Sequence, residues 1–533
     1  MFKKNKMKVK LKRKSFEPVT GYLLLTLLVV ILSGILSLFN LSSTYNVIDS
    51  IKIEMITQTS EIFNLFSFDG LKYIVSNASK NFIVFAPLSM YLVGMIGVVV
   101  ATASGFIDVL FKRMFEKMNN KVLTFIVVFI ATISSLINEV GFVILIPISA
   151  LIYKAKKRNP MIGVSAAFSG CAFGYGTSIF VGSIETQMIS YTEASARIID
   201  KTFHVSLLSN LYIMIISSII LSIVGTLIIE KIIAPSLGKY RVKKELELTD
   251  ELEIIDDETL EQTMISTDYS EKKGFRVASI IAIIFILFFI YSAIPNLPGS
   301  GLLLDYSEKT YLKQIFGENS YFQDGFTYMI SLLFAICGLV FGFVSKKFKN
   351  ERDVIKACQE PLSEVGRMLL LLFVASQFAG VFRKSNIGTV ITGILANILS
   401  NFSFSGIFYL LIAIVIMAIS DYFLTGVQAK WAIFAPCIIP ILMKSNISPQ
   451  FIQFTMRGVD SMMNGITPLY AYFVIYIGYL NIYNIREDKP ISISDGIKII
   501  MPYFLIISIT WILILIGWYI IGLPIGPGVY PTV

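Results

Sequence analysis

Long apolar stretches separated by short polar segments run along most of this chain. The first, at 21–40, holds 20 residues without a charged side chain, which is enough to span a bilayer core of about 30 Å. Eight further stretches follow, two of them interrupted by glycine or proline. They lie at 82–111, 161–190, 209–231, 277–293, 328–344, 368–382, 451–482 and 501–521. The pattern therefore predicts nine transmembrane helices.

Two short apolar arms, at 123–137 and 140–153, do not fit this scheme. They flank a polar tip, Asn138 and Glu139, and at 1.5 Å per residue the first arm reaches only roughly 22 Å. Basic residues border the outer ends of both arms, which places both ends in the cytoplasm. We therefore predict a re-entrant hairpin that is surrounded by protein, because exposed non-helical backbone is too costly in lipid.

A second pair of short arms, at 407–420 and 431–443, flanks the polar tip 421–430. From the order of the spans, this hairpin is expected to enter the membrane from the outside. The two hairpins would then be opposed, which is the arrangement found in transporters that are built from inverted repeats.

Proline and glycine recur around both hairpins at a constant offset of 289 residues. The pairs are Pro147 and Pro436, Pro160 and Pro449, and Gly176 and Gly465. Such breaks at corresponding places in two halves mark the binding site of a secondary transporter, although chance is the alternative because membrane helices are rich in both residues. The predicted fold class is an all-α polytopic membrane protein with inverted repeats, about nine transmembrane helices and two opposed re-entrant hairpins.

Charge sets the expected orientation and the boundaries. Eight lysines and arginines fall within the first 14 residues, and basic residues beside a first span favour a cytoplasmic N-terminus over a nucleic-acid site. The expected organisation is a basic N-terminus at 1–16, a single transmembrane domain at 17–522 and a short external C-terminus at 523–533. Within the domain we expect a first repeat at about 82–231, an acidic cytoplasmic loop at 235–275 and a second repeat at about 327–522.

Composition narrows the function. The chain is 55% hydrophobic and 15% charged, outside the range of soluble domains. Its four cysteines form no close-spaced pair and His204 is the only histidine, so neither a metal centre nor histidine-based catalysis is indicated. We expect no cofactor and no enzyme activity, and a membrane-embedded hydrolase is the weakest alternative.

Charged side chains inside a bilayer are costly and therefore mark candidate functional positions. Glu139 lies at the first tip, and Glu185 ends the interrupted span 161–190. Arg457 and Asp460 are three residues apart, a spacing that lets them pair on one helix face, either for function or as an internal ion pair. Asp421 and Lys430 flank the second tip, with interfacial snorkelling as the alternative.

Uncharged candidates surround these charges. Asn138, Ser178, Gln428, Asn464 and Thr467 fall at tips or helix breaks, where free backbone carbonyls can coordinate Na⁺ and helix N-termini can hold anions. Trp431 offers a flat face to an aromatic substrate, with simple packing as the alternative.

Six segments resemble those of the AbgT family, the p-aminobenzoyl-glutamate transporters. They are KNFIVFAPL at 80–88, SAAFSGCAFGYGTSIF at 165–180, ISYTEASARI at 189–198, QFAGVFRKSNIG at 377–388, WAIFAPCIIPILM at 431–443 and GLPIGPGVYP at 522–531. The resemblance covers nearly the whole chain after the basic N-terminus. It implies the same nine spans and two hairpins, a homodimer and the inner membrane of a bacterium.

The resemblance extends the candidate site unevenly. It adds Pro468 and Asn386 from family motifs, whereas Glu139 and Glu185 stand where the family usually has aspartate. Lys430 departs from a serine-rich tip and leaves the substrate and the coupling ion open. The predicted substrate-binding residues are Arg457, Trp431, Lys430, Gln428, Asn464 and Pro468. The predicted ion-coupling residues are Asp460, Glu185, Glu139, Asn138, Ser178 and Asn386, with Na⁺ expected near Asn138, Asn386 and Asp460 if Na⁺ is the ion.

The implied function is ion-coupled transport of p-aminobenzoyl-glutamate or related aromatic carboxylates of the folate pathway. The carboxylates of such ligands suit Arg457 and Lys430, and their ring suits Trp431. Efflux of sulfonamide-type antimetabolites, or transport of another carboxylate or peptide, are the alternatives on the same scaffold. The residues do not distinguish import from export, or Na⁺ from H⁺ coupling.

Overall fold

The computed structural model describes residues 16–49, 52–238, 257–317, 319–402, 406–486 and 489–533, with the backbone alone described at 257–269. The chain opens with helix α1 (Pro18–Leu38), followed by strands β1 (Ser42–Ile48) and β2 (Met55–Glu61). The two strands pair antiparallel, with Ser42 opposite Glu61. This two-stranded β-hairpin is the one sheet among the described residues, and the fold is otherwise helical as predicted. The β-hairpin arises in the loop after the first span, where alternating exposed and buried residues along β1 suit a strand.

The first half of the molecule continues with helices only. They are α2 (Phe68–Ser76), α3 (Ala78–Ile83), α4 (Ala86–Ala103), α5 (Phe106–Phe115), α6 (Asn120–Ile133) with a 3₁₀ turn (Ser134–Ile137), α7 (Val140–Ala155), α8 (Pro160–Phe173), α9 (Ser183–Ala196), α10 (Leu211–Ile228) with a π turn (Ile229–Ile233), and α11 (Ala234–Leu237).

The second half is also helical. It comprises α12 (Asp257–Ala293), α13 (Tyr311–Phe316), α14 (Tyr321–Val344), α15 (Glu351–Ser385), α16 (Ile387–Ser400), α17 (Gly406–Phe423), α18 (Val427–Lys444), α19 (Pro449–Asn464), α20 (Phe473–Ile482) and α21 (Ile493–Ile521). Residues 1–15 of the predicted basic N-terminus and 239–256 of the predicted acidic loop lie outside the described residues, and the rest of that loop from Asp257 is helical.

Ten helical segments among the described residues are long and apolar enough to cross a membrane. Three of them are arms of the two hairpins: α6 with its 3₁₀ turn, α17 and α18. The other seven, together with the two interrupted spans α8–α9 and α19–α20, make up the nine predicted helices. That the hairpins are re-entrant, and enter from opposite faces of the bilayer, stays a prediction.

The helices that follow the two hairpins begin in the same way. Helices α8 and α19 both begin with a proline as their first residue, Pro160 and Pro449, which are 289 positions apart. Each is capped by the residue before it, Asn159 or Ser448, whose side chain accepts a backbone N–H of the first turn. Proline is favoured at this position because the helix leaves its N–H unpaired anyway. Pro160 and Pro449 are therefore helix starts, whereas the other periodic pair, Pro147 and Pro436, lies inside helices α7 and α18.

The breaks of the two halves meet in the centre of the molecule. A Cβ atom at Gly176 would lie 2.5 Å from the carbonyl oxygen of Arg457, so this break packs directly on the backbone of α19. A Cβ atom at Gly465 would lie 2.2 Å from the ring of Phe173 at the end of α8. Glycine is required at both positions by this close approach, and the crossing brings the side chains after each break close to the hairpin tips.

Both hairpins pack against other helices, and their arms α6 and α17 also keep exposed apolar side chains such as Ile130 and Phe408. Arms α6 and α7 pack on α8, and α6 also packs on α10. Arm α17 packs on α16 and α19, whereas α18 packs on α9, α16 and strand β1. Most residues of the arms α7 and α18 are buried by these contacts. The C-terminal segment is tied to the start of α19, where the Ser448 backbone N–H donates to the Pro531 carbonyl oxygen at 2.8 Å.

Candidate substrate and ion site

A cavity of about 260 Å³ lies between the two hairpin tips and the breaks of α8 and α19. Its lining residues are Asn138, Glu139, Tyr175, Ile184, Gln187, Gly426, Val427, Gln428, Asp460, Asn464 and Tyr470. Both tips turn through left-handed backbone, with φ of 48° at Asn138 and 99° at Gly426. Asparagine and glycine are the residues that tolerate this conformation, which explains their positions at the apices.

The first tip is fixed by polar contacts to its neighbours. The Asn138 side chain accepts a hydrogen bond from Ser183 at the start of α9 and donates one to Gln323 Oε1 of α14 at 2.8 Å. Glu139 accepts the Tyr175 hydroxyl at 2.8 Å. The cavity wall on this side therefore contains a carboxylate and an amide, which are held by α9, α14 and the turn after α8.

The second tip carries a buried ion cluster. The Lys430 ammonium contacts Asp421 Oδ1 at 2.7 Å and also binds Asp460, and all three side chains are almost fully buried. Asn464 donates to the other oxygen of Asp460 at 2.9 Å. The structure thus excludes interfacial snorkelling for Asp421 and Lys430. Both also lie in helices, α17 and α18, so the true tip is shorter than the predicted 421–430.

Arg457 and Glu185 form a second buried ion pair, 1% and 2% exposed. Glu185 does not end a span, as the sequence suggested, but lies in the first turn of α9, where it also accepts the Gly182 backbone N–H at 2.7 Å. The predicted pairing of Arg457 with Asp460 is therefore wrong. Although one turn of α19 separates them, each binds an opposite charge on another helix.

A family model for the AbgT putative transporter family matches residues 10–533. The chain belongs to the AbgT family. It is 28% identical, over 97% of its own length and 94% of the relative's, to the p-aminobenzoyl-glutamate transport protein of Escherichia coli K12. It is also similar to two solved structures, the YdaH transporter of Alcanivorax borkumensis and MtrF of Neisseria gonorrhoeae. The YdaH structure is 27% identical, and the match covers 96% of this chain and 100% of that chain with a TM-score of 0.46. The MtrF structure is 30% identical, and the match covers 96% of this chain and 97% of that chain, also with a TM-score of 0.46.

Membership of the AbgT family makes the molecule a multi-pass membrane transporter, and the cavity is its candidate site. Five predicted site residues line the cavity of this AbgT protein: Asn138, Glu139, Gln428, Asp460 and Asn464. They come from both hairpins and from α19, so the structure brings together residues that are up to 326 positions apart.

Three of the predicted substrate-binding residues, Lys430, Trp431 and Arg457, are buried and do not line the cavity. Lys430 and Arg457 are engaged in the ion contacts above. Trp431 is fully buried, and its indole N–H donates to Thr192 Oγ1 at 2.9 Å. This burial agrees with the alternative that Trp431 has a packing role. Pro468, in the segment after α19, is half-buried and outside the lining.

The remaining predicted ion-coupling residues are spread more widely. Ser178 is buried outside the lining, and its hydroxyl has no hydrogen-bond partner among the described residues. Asn386 joins α15 to α16 and donates to the Glu61 carbonyl oxygen of the β-hairpin at 3.1 Å, so it does not meet Asn138 or Asp460 at the cavity.

Sequence reasoning missed the aromatic part of the site. Tyr175 and Tyr470 both line the cavity. The Tyr470 hydroxyl has no hydrogen-bond partner among the described residues, although the residue is only 8% exposed. Tyr175 directly follows Gly174 at the end of α8, and Tyr470 lies five residues after Gly465 at the end of α19. A search for hydrogen-bonding aromatics beside the breaks would have found them.

Proposed function

We propose that this AbgT transporter carries p-aminobenzoyl-glutamate or a related aromatic carboxylate of the folate pathway. The observation that carries the proposal is the cavity between the hairpin tips, in a chain that aligns over nearly its full length with a p-aminobenzoyl-glutamate transport protein. Its position at the meeting point of two broken helices is where substrates of secondary transporters bind.

The cavity suits one end of such a substrate. Tyr175 and Tyr470 supply aromatic faces, and Asn138, Gln428 and Asn464 supply amides. In this state the three amide nitrogens already donate to Gln323, Tyr191 and Asp460. The Tyr470 hydroxyl is therefore the donor that a substrate carboxylate or carbonyl meets first. At 260 Å³ the cavity is at or below the usual range of roughly 300–1,000 Å³ for ligand pockets, so a whole substrate requires its enlargement.

The test is uptake of labelled p-aminobenzoyl-glutamate into proteoliposomes, with melting temperature as a second readout of binding. Asp460→Asn, which changes a cavity-lining acid, should abolish gradient-driven uptake while the protein stays folded. Lys444→Met, an exposed residue at the end of α18, is the matched control and should leave uptake intact. Wild-type protein that neither binds nor transports the compound refutes the substrate assignment.

Export of antimetabolites is the second candidate. It is favoured by the similarity to MtrF, whose structure was described as illuminating a class of antimetabolite efflux pumps. The same cavity chemistry accommodates a sulfonamide, which also carries an aromatic amine. Cells that express the protein should then retain less labelled sulfonamide than cells that express Asp460→Asn, and equal retention refutes export.

We further propose how the transporter works in its membrane. Transport is coupled to Na⁺ or H⁺ through Asp460, the protein acts as a carrier without catalysis, and it forms a homodimer. It lies in the inner membrane of a bacterium with its N-terminus in the cytoplasm. Light scattering of the detergent-solubilised protein tests the dimer, and intact substrate recovered after transport tests the absence of catalysis.

A further inference from the structure

In the ion cluster of the second hairpin, the charges of Asp421 and Lys430 have the sign that is unfavourable at the helix ends where they lie. Asp421 lies in the last turn of α17, and Lys430 lies in the first turn of α18. A helix C-terminus disfavours an anion and a helix N-terminus disfavours a cation, so each charge opposes the dipole of its own helix. Lys430 contacts both Asp421 and Asp460 of α19, so the two charges are stabilised by the ion cluster and not by the helix ends that carry them.

The Lys430 ammonium lies between two carboxylates, a place that suits a cation. It lies between a carboxylate of the hairpin and a carboxylate of the broken helix α19, whose second oxygen is oriented by Asn464. Secondary transporters bind their coupling cation beside helix breaks through oxygen ligands such as freed backbone carbonyls, and a carboxylate near the end of a helix supplies the same kind of hard oxygen ligand. Here an ammonium, tethered by its own side chain, occupies the same place with no exposure to solvent.

The charged residues near the cluster of Asp421, Lys430 and Asp460 have other partners. Arg457 of α19 is bound to Glu185 of α9, and Glu139 of the first hairpin accepts the Tyr175 hydroxyl. With its members ionised, the cluster of Asp421, Lys430 and Asp460 holds two negative charges and one positive. Asp421 Oδ2 also lacks a hydrogen-bond partner among the described residues. The ionised cluster therefore has a net charge of −1, which one proton neutralises without displacing the ammonium.

We propose that Lys430 determines the coupling ion: its ammonium permanently fills the cation position between Asp421 and Asp460, so that Na⁺ does not bind there and the carrier is driven by protons. This deepens the proposed function and rests on it only for the coupling to transport. The exclusion of Na⁺ from the cluster is a property of the protein alone and does not depend on which substrate is carried.

The first experiment measures melting temperatures of the purified protein in NaCl and in choline chloride at equal ionic strength. Wild type and Lys444→Met should melt at the same temperature in both salts. Lys430→Met leaves the two carboxylates without their cation, and Na⁺ should raise its melting temperature by about 2 °C or more over choline. In the double variant Asp421→Asn with Lys430→Met, which lacks one carboxylate, at least half of that shift should be lost.

The second experiment uses wild-type proteoliposomes and does not depend on the folding of any variant. Replacing Na⁺ by choline should leave uptake unchanged, and a protonophore should reduce it by at least about fivefold, the low end of typical coupling between two ligands. Uptake that needs Na⁺ overturns the proposal, as does a folded Lys430→Met protein that gains no response to Na⁺. If no uptake of p-aminobenzoyl-glutamate occurs but the melting temperatures behave as expected, the substrate assignment fails and the role of Lys430 stands.

Discussion

Replacing Arg457 with methionine should destabilise the transporter by about 3–5 kcal/mol, the usual loss when one partner of a buried ion pair is removed. The guanidinium is 1% exposed and binds Glu185, which is 2% exposed. Without it, the carboxylate keeps one hydrogen bond, from the Gly182 backbone N–H at 2.7 Å. A single neutral donor does not offset the desolvation of a buried charge. Most of the lost stability therefore comes from the Glu185 carboxylate, which stays buried without a counter-charge.

A second change identifies the partner. Glu185→Gln removes the stranded charge while its amide oxygen still accepts the Gly182 N–H, so the double variant with Arg457→Met should recover about 2 kcal/mol or more. If Asp460 were the partner of Arg457, as the spacing on α19 suggested, Asp460→Asn would restore stability instead. From the structure we expect Arg457→Met with Asp460→Asn to be no more stable than Arg457→Met alone, because Lys430 then loses a carboxylate.

The assay is thermal melting of the detergent-solubilised protein, followed by the loss of its monodisperse chromatographic peak. Lys498→Met is the matched control: its partner Asp495 is 3.2 Å away, but the lysine side chain is 68% exposed. Exposed pairs contribute about 0–1 kcal/mol, so this variant should melt close to wild type. The reasoning is refuted if the Glu185 double variant melts as low as Arg457→Met, or if the Asp460 double variant is the one that recovers.

Three further predictions concern the site, the helix crossing and the topology. Tyr470→Phe should leave the melting temperature unchanged, because its hydroxyl has no partner among the described residues, but should weaken substrate binding at least about fivefold; unchanged affinity would contradict its contact with substrate. Gly176→Ala should cost about 1–3 kcal/mol, since its Cβ would lie 2.5 Å from the Arg457 carbonyl oxygen, and a variant as stable as wild type would contradict that contact. Cysteines at the exposed repeat-equivalent positions Ala155 and Lys444, in a cysteine-free background, should be labelled from the inside and the outside respectively, and equal labelling from one side would disprove opposed hairpins.

Much of the architecture was predictable from local pattern. The length and polarity of the apolar stretches indicated nine spans and two short hairpins, because each feature depends only on consecutive residues and the thickness of a bilayer. The offset of 289 between Pro160 and Pro449 located two equivalent helix starts, since proline at a first helical position acts through its own backbone. The strands β1 and β2 were missed because their pairing joins segments whose polar residues carry little periodic signal.

The chemistry of the site was only partly predictable. Charged residues at tips and breaks are rare enough in apolar sequence to be noticed one by one, and so Glu139, Asp460 and Lys430 were all identified as candidates. Which carboxylate meets which cation is a different kind of question. Arg457 and Asp460 have the spacing of an ion pair, yet Arg457 binds Glu185 and Asp460 binds Lys430.

The sequence by itself therefore determined the spans and the identity of the rare buried charges, because these follow from neighbours along the chain. Only the tertiary structure decided the ion partners, the cavity lining and the burial of Lys430. These depend on how α9, α17, α18 and α19 pack around the two breaks, where Gly176 lets the chain approach the backbone of Arg457. A buried charge binds the opposite charge that packing brings within reach, and distance along the chain does not specify which one that is.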